Sequence, residues 1–592
     1  MSAAKHYLKD PNKAVLDSLN SLTFTNPSLV FDDANKIIYR NPSSIEQPQN
    51  VSVVCGGGSG HEPGFAGFVG DGLLTACVAG TIFASPSAEQ VRTCLQHRLP
   101  AESKGILVIA TNYTGDVLNF GMAVEKARAL GKKVEMVVVG DDVGVGRVKS
   151  GKVGRRGLSG TALVVKICGA LAERGENLEH CAKVGCLVVN NLVSLGASLS
   201  RVHVPGRGIE EAREEEERLG PGLVEIGMGI HNEPGCEKVE TDLPGLVKQM
   251  LAQMLDQNDK DRAYVKIEKG DDLILEINNF GGVSNLELGA ITNEVATQLN
   301  NHYGLKPRRI VQGNLFGSLD GPGFIVSILR LVDTNLGSDK SMLKLLDAPA
   351  NAIGWPKCVT PETWERKYQA PSQKTEEKGE ETKPSNLKLE PEKLRSTLEP
   401  ALSKLIAAEG EVTKYDSVVG DGDCGIGLQR GAEGVLKVLP DISSTDIMMA
   451  LAKICPTIEN TMDGTSGALY AIFLNSLASN IRAQDGSSAT PVTIEIWAKA
   501  LTMSIDDLAR YTPARPGDRT LMDALVPFVD VLTETKNVKQ AAEAATKGAE
   551  KTKGMKASLG RSVYVGGTGY EEVPDPGAYG LSVFLSGLAN AL

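Results

Sequence analysis

The sequence predicts an α/β domain followed by an all-α domain. Three observations carry that prediction. Residues 1–365 alternate short β-rich runs with helical stretches, and the runs end in Gly, Asn or Asp. Residues 393–592 have few such runs and many apolar residues at i, i+3 and i+4, the period of amphipathic helices. Between them, from Tyr368 to Glu392, the chain is rich in Glu, Lys and Pro and nearly free of large apolar side chains. That composition cannot bury enough surface to order itself, and it sets a flexible linker at 366–392.

In the first part, VSVVCGGG, GILVIATNY, KVEMVVVGDD and LVVKICGALAERG read as β-rich runs. YVKIEKGDDLILEINNFGG, RRIVQGNLFGSL and GFIVSILRLVD follow. Apolar runs of this length suit parallel strands whose carboxyl ends feed functional loops. Two sub-lobes are expected, meeting near Gly245. In the second part, PALSKLIAAEGEVTK, DIMMALAKICPTIENT, GALYAIFLNSLASNIRA, IEIWAKALTMSIDDLARY, LMDALVPFVDVLTE and VKQAAEAATKGAEKT predict an antiparallel helical barrel or bundle. An Asp-rich loop lies between the first two of these helices.

Composition narrows the class. A chain of 592 residues is too long for one core. Its net charge of −11 argues against nucleic acid as the main partner, because no basic excess offsets phosphate repulsion. Ten cysteines without a CxxC pair suit reduced thiols in the cytoplasm. The N-terminus lacks an apolar h-region and no run approaches 18 apolar residues, so neither a secretory leader nor a membrane span is expected.

The sharpest chemical signal is Gly420-Asp421-Gly422-Asp423-Cys424-Gly425, with Asp416 five residues before Asp421. Three carboxylates separated by flexible glycines repel one another unless a cation sits between them. All the donors are hard oxygens, which favours Mg²⁺ over zinc. An EF-hand is excluded: twelve positions from Asp416 reach Gly427 and from Asp421 reach Ala432, so the closing Glu is missing. An Asp/Gly-rich surface turn is the remaining alternative.

Two histidines stand in glycine-rich turns. Gly56-Gly57-Gly58-Ser59-Gly60-His61-Glu62-Pro63-Gly64 follows the run Val51–Cys55, where backbone N–H groups can approach a small polar ligand. It is neither a dinucleotide fingerprint, since Pro63 stands at the last Gly, nor a Walker A loop. Glu225-Ile226-Gly227-Met228-Gly229-Ile230-His231-Asn232-Glu233-Pro234-Gly235 is the second. A strand end at Ile106–Ala110 runs into Thr111-Asn112-Tyr113-Thr114-Gly115-Asp116, placing Asp116 in the same crevice as His61. Either pair of turns is also what Gly and Pro build without a function. In the second part, Met462–Tyr470 and Pro516–Asp523 put small residues before helices, whose free N–H groups bind phosphate, with Arg519 as a phosphate partner. N-capped helices would satisfy the same tracts.

Together these tracts resemble the single-chain, ATP-dependent dihydroxyacetone kinases (the glycerone kinase and triokinase family). GGGSGHEPG, NYTGD, GRRGLSGT, GMGIHNEPG, NNFGG and GWP follow the substrate domain; GDGDCG, GTSGALY, GDRT and DPGA follow the nucleotide domain, in the same order. The resemblance implies that residues 1–365 bind dihydroxyacetone or glyceraldehyde and that residues 393–592 bind ATP. It implies a hemiaminal between His231 and the substrate carbonyl, assisted by His61 and Asp116, with Gly58, Ser59, Gly60 and Thr111 lining the substrate. It places two Mg²⁺ on Asp416, Asp421 and Asp423. Nucleotide contacts fall to Asp423, Cys424, Gly425, Ile426, Thr465, Ser466, Thr520, Leu521, Asp575, Pro576 and Gly577. A cytoplasmic homodimer is implied as well. Two positions depart from the pattern. Thr111 replaces a Lys common before Asn-Tyr-Thr-Gly-Asp, and Asp463 replaces a Gly, adding negative charge near the expected phosphates. Two other readings are a side activity splitting FAD into AMP and a cyclic flavin phosphate, and a carbonyl-binding regulator without kinase activity.

Overall fold

The structure is a computed structural model and describes residues 6–206, 219–220, 222–366, 382–556, 559 and 571–592. The chain divides into two compact units, Met1–Ala370 and Pro371–Leu592.

Two six-stranded sheets organise the first unit. β1 (Leu29–Asp32), β2 (Ile37–Arg40), β3 (Ser52–Ser59), β4 (Ala76–Ile82), β5 (Ile106–Thr111) and β6 (Val134–Val139) lie in the order β1-β2-β4-β3-β5-β6. The sheet is parallel from β4 to β6, and β1 and β2 add an antiparallel edge. Every residue of β3 and β5 is buried, which explains their unbroken apolar runs. β7 (Leu192–Ser198), β8 (Leu223–Ile226), β9 (Glu237–Glu240), β10 (Leu273–Asn279), β11 (Pro307–Gly313) and β12 (Gly323–Arg330) form the second sheet, in the order β11-β10-β12-β7-β8-β9.

Three expectations for this unit are corrected. In the second sheet, among the described residues, only β10 and β11 pair in parallel; β12 runs antiparallel to β10 and to β7. The second sheet begins with β7, so the sub-lobes divide before Leu192, and Gly245 lies inside the helix Leu243–Leu255. Finally, LVVKICGALAERG is not a strand. It lies in the helix Thr161–Glu173, in which every residue from Thr161 to Ala172 is buried. A helix covered on all sides carries no polar stripe, so its pattern mimics a buried strand.

In the second unit, Pro391–Ala407, Glu409–Val419, Cys424–Val438, Ile447–Thr461, Gly464–Arg482, Ile494–Leu508, Met522–Thr535, Val538–Lys551 and Pro576–Ala591 are helices. They surround an apolar cavity of about 550 Å³, so the unit is a barrel. The stretch read as one leading helix breaks at Ala408, and the Asp-rich loop therefore joins the second and third helices. Of the linker read at 366–392, residues 367–381 lie outside the described residues. Its last part belongs to the barrel: Leu387–Lys388 pairs with Thr490–Pro491, and buried Ser385 donates its hydroxyl to Asp446 at 2.5 Å. No helix among the described residues is long and apolar enough to cross a membrane.

Candidate active site

The first unit gathers its functional side chains where loops of the two sheets meet. β3 delivers Gly58 and Ser59 at its carboxyl end, then Gly60 turns with φ +101° and His61 follows. The adjacent parallel strand β5 ends at Thr111, and the helix Thr114–Ala129 carries Asp116 in its first turn. His231 comes from the loop between β8 and β9.

His61 is 2% exposed and lies between the rings of Phe83 and Phe316, each centred 5.3 Å away. Its Nδ1–H donates to the Gly317 carbonyl at 2.9 Å, and its Nε2 lies 2.9 Å from Nε2 of His231. Burial, reinforced by the neighbouring His231, pushes its pKa down to about 3, so the ring is neutral. His231 stands edge-on to His61, Phe83 and Tyr113. Its Nδ1 lies 3.0 Å from Glu233 Oε1, and its backbone N–H donates to Glu233 Oε2 at 2.8 Å. Burial of Glu233 opposes ionisation. The hydrogen bonds and charge of His231, with the charge of Arg156, outweigh it and hold the carboxyl at about 2. Arg156 is itself bonded to Asp142, at 2.8 Å through Nε, and to the Gly227 carbonyl at 2.8 Å.

Asp116 is 5% exposed. Thr111 donates to its Oδ2 at 2.9 Å, while Oδ1 is buried without a hydrogen bond. Burial raises its pKa, with the hydroxyls of Ser85 and Thr111 and the charge of His231 pulling the other way. Ser59 and Gly60 have partners of their own: the Ser59 hydroxyl donates to the Gly80 carbonyl at 3.0 Å, and the Gly60 N–H to Glu62 at 2.9 Å. A buried acceptor on Asp116, a buried and unpartnered Tyr113 hydroxyl, and two imidazoles in contact make a cluster able to attack a carbonyl and orient hydroxyls. Glu233 and Tyr113 stand in tracts that drew attention in the sequence, yet no role was read for either.

In the second unit, one oxygen each from Asp416, Asp421 and Asp423 lies within 4.8 Å of the others. Asp416 is buried at the end of its helix, and the Cys424 N–H donates to its Oδ2 at 3.0 Å. Gly422 turns with φ +81°, which lets Asp421 and Asp423 point the same way. Asp423 precedes the helix Cys424–Val438 without capping it, so its carboxylate is not taken up there. A set of hard carboxylate oxygens this close suits Mg²⁺.

Cys424 lies 4.0 Å from Ser466, which with Thr465 opens the helix Gly464–Arg482. Gly425 is required by packing, because a Cβ would meet Thr413 Oγ1 at 2.3 Å; Ile426 beside it is 48% exposed. Asp575 caps the helix Pro576–Ala591 through the Ala578 N–H at 2.7 Å. Burial raises its pKa to about 7. A Cβ on Gly577 would lie 3.7 Å from that of Leu521, so the tracts at Thr520-Leu521 and Pro576-Gly577 are adjacent. Arg519 is a correction. It is 2% exposed and donates to the carbonyls of Met555 and Val573, each at 2.9 Å, clamping the chain rather than facing phosphate. Asp523, which sequence reasoning passed over, accepts the N–H groups of Gly517 and Thr520 at 2.6 and 2.8 Å and folds that turn. Asp463 forms an ion pair with Arg430.

Comparisons with known proteins agree with this division. A Dak1 domain matches residues 20–354, and a DAK2 domain matches residues 418–590. Dihydroxyacetone kinase 1 of Saccharomyces cerevisiae is 41% identical over 100% of both chains. The human protein named triokinase/FMN cyclase is 34% identical over 92% of this chain and 91% of its own. The solved dihydroxyacetone kinase of C. freundii in complex with AMP-PNP and Mg²⁺ covers 100% of both chains at 31% identity, with a TM-score of 0.61. The chain therefore belongs to the dihydroxyacetone kinase family.

Proposed function

We infer that the chain transfers a phosphoryl group from ATP to dihydroxyacetone, and to glyceraldehyde as a second acceptor. The observation that carries the reading is the His61–His231 contact at 2.9 Å, in a chain that also holds a carboxylate triad and matches dihydroxyacetone kinases end to end.

In this reading residues 1–365 are the substrate domain and residues 393–592 the nucleotide domain. His231 Nε2 adds to the carbonyl carbon and forms a hemiaminal. A polyol has no carbonyl to attack, so the same step rejects glycerol. Asp116 Oδ1 receives the hydroxyl proton as the substrate oxygen attacks phosphorus, and His61 and the Gly58–Gly60 turn orient the remaining oxygens. Asp416, Asp421 and Asp423 would hold Mg²⁺, which would supply positive charge to neutralise the phosphates. Three carboxylates carry more charge than one divalent ion balances, which supports two ions. The first turns at Cys424, Thr465 and Pro576 supply N–H groups to the nucleotide. The reading extends to a cytoplasmic homodimer, which light scattering of the purified chain tests.

The test of the activity is ADP release from Mg²⁺–ATP with dihydroxyacetone, glyceraldehyde, glycerol or no acceptor. Release with the two carbonyl compounds alone is expected; equal release with glycerol would overturn carbonyl capture. A second reading, flavin cyclisation on the same carboxylate triad, is favoured by the relative named triokinase/FMN cyclase. Release of a cyclic flavin phosphate from FAD with Mn²⁺ would establish it. A regulator without kinase activity predicts no acceptor-dependent release.

A further inference from the structure

The nucleotide residues of the second unit stand on a thin floor. Cys424, Ser466 and Gly577 lie in the first turns of the helices Cys424–Val438, Gly464–Arg482 and Pro576–Ala591. Four residues on, about 6 Å down each helix, come Leu428, Tyr470 and Leu581. All three line the apolar cavity of about 550 Å³, and so does Leu521, itself one of the expected nucleotide contacts. The tops of these elements are close together. Cys424 Sγ lies 4.0 Å from Ser466 Oγ, and a Cβ on Gly577 would lie 3.7 Å from Leu521 Cβ. One layer of side chains therefore separates the nucleotide residues from the cavity.

We propose, on the reading of residues 393–592 as the nucleotide domain, that Tyr470 is a positioning residue of the nucleotide site, its ring closing the floor between that site and the apolar cavity. Leu428 belongs to one apolar cluster of the barrel, and Leu521 and Leu581 belong to another. Of the four floor residues, Tyr470 alone packs against both clusters. Its ring thus spans the seam where the two halves of the barrel meet, one turn below Ser466.

The position matters because of how such a site holds phosphate. Free N–H groups at helix N-termini act most strongly where water is excluded and where their spacing is fixed in advance. A rigid ring wedged under the first turns serves both ends: it keeps water of the site out of the cavity, and it holds the helices apart by a set distance. An aliphatic side chain of smaller reach would leave the seam open. The hydroxyl adds no charge below the phosphates. Burial, then the nearness of Cys424 and Asp575, pushes the phenol up, so it stays neutral. Those two neighbours stand at the starts of two of the three helices, which puts the tip of Tyr470 beneath their meeting point.

The test uses the full chain and reads Mg²⁺–ATP binding by calorimetry together with KM and kcat of ADP release with dihydroxyacetone. Tyr470→Ala is expected to weaken binding and raise KM for ATP roughly 10- to 100-fold, the cost of losing a group that orients a site, with kcat at saturating ATP unchanged. Tyr470→Phe keeps the ring and should behave as the unsubstituted chain. Leu394→Ala takes apolar bulk from the same cavity at its other end. The helix Pro576–Ala591 runs from Gly580 beside Leu405 to Gly587 beside Ala401, so Leu394 lies farther still from the first turns. That variant should lower Tm and leave KM for ATP as it was. Should Tyr470→Ala fail to fold, Tyr470→Leu, which stays apolar but lacks the reach of the ring, carries the same expectation. An unaltered KM in the folded Tyr470 variant, an equal rise in Leu394→Ala, or an equal rise in Tyr470→Phe would overturn the role of the ring. If the unsubstituted chain binds no Mg²⁺–ATP, the nucleotide reading itself fails, a result distinct from binding that Tyr470→Ala leaves intact.

Discussion

Thr111 donates its hydroxyl to Asp116 Oδ2 at 2.9 Å, and Asp116 keeps its other oxygen buried and unbonded. The pair occupies the place where the family pattern puts an ammonium before the Asn-Tyr-Thr-Gly-Asp tract. The Thr111 side chain is thus committed to a carboxylate that burial pushes toward protonation.

A pH profile follows from that pair. A raised carboxyl loses its charge at a higher pH than an exposed one, so activity that needs ionised Asp116 falls off early on the acid side. Thr111→Val removes a donor that favours the ionised form. The acid limb of kcat/KM for dihydroxyacetone should move to higher pH, and folding stability should drop by about 1 kcal/mol. An unmoved limb would mean that Asp116 is not the group titrating.

Capture and nucleotide binding should separate by mutation. His231→Ala is expected to abolish the substrate adduct seen by mass spectrometry while leaving Mg²⁺–ATP affinity unchanged. Asp421→Asn should do the reverse, weakening nucleotide binding by at least the roughly 10- to 100-fold that loss of a supporting metal contact costs. Normal nucleotide affinity in Asp421→Asn would place the metal elsewhere.

Asp463 looks harmful in the sequence because it adds charge near the expected phosphates. Its ion pair with Arg430 masks that charge. The pair is largely exposed, so its own worth in stability is about 0–1 kcal/mol. Arg430→Ala should therefore raise KM for ATP, more at low salt than at high salt, and Asp463→Gly in the same chain should restore it. A KM that rises equally in the double variant would assign Arg430 a direct role.

Much of the site was legible because turns announce themselves. His61 and His231, each in a glycine-rich tract, lie 2.9 Å apart, Thr111 and Asp116 at the strand end are hydrogen-bonded, and oxygens of Asp416, Asp421 and Asp423 gather within 4.8 Å. Glu233 was harder to read. It reaches back to His231 because Asn232 adopts φ +64°, a conformation that Asn tolerates and that spacing alone does not reveal. Arg519 misled because a cation before a helix suggests phosphate, whereas its carbonyl partners lie 36 and 54 residues away in the chain. The helix Cys424–Val438 went unread because it contains Gly425, Gly427, Gly431 and Gly434, residues of poor helix propensity. Packing demands two of them: a Cβ would meet Thr413 Oγ1 at 2.3 Å from Gly425 and Met462 Sδ at 2.5 Å from Gly431. Strand direction in the second sheet was invisible for another reason, since a buried strand has the same apolar run whichever way it points.

Glu276 gives a prediction about stability alone. It lies on β10 and is fully buried; the Ser327 hydroxyl approaches its Oε1 at 3.5 Å, and Oε2 has no hydrogen bond. Burial raises its pKa to about 8, so the folded chain holds a proton there that the unfolded chain releases above the ordinary carboxylate value. The folded state binds more protons than the unfolded state between those limits, so Glu276 makes stability fall as pH rises through that window. Its contribution is fully present below the unfolded value of about 4.3 and is lost as pH passes through 8. Glu276→Gln stays neutral throughout and should flatten the decline. Tm of this variant should match or trail the unsubstituted chain at pH 5 and exceed it at pH 8.5. Parallel Tm curves across that range would show that Glu276 is ionised in the folded chain and that an unseen partner compensates its charge.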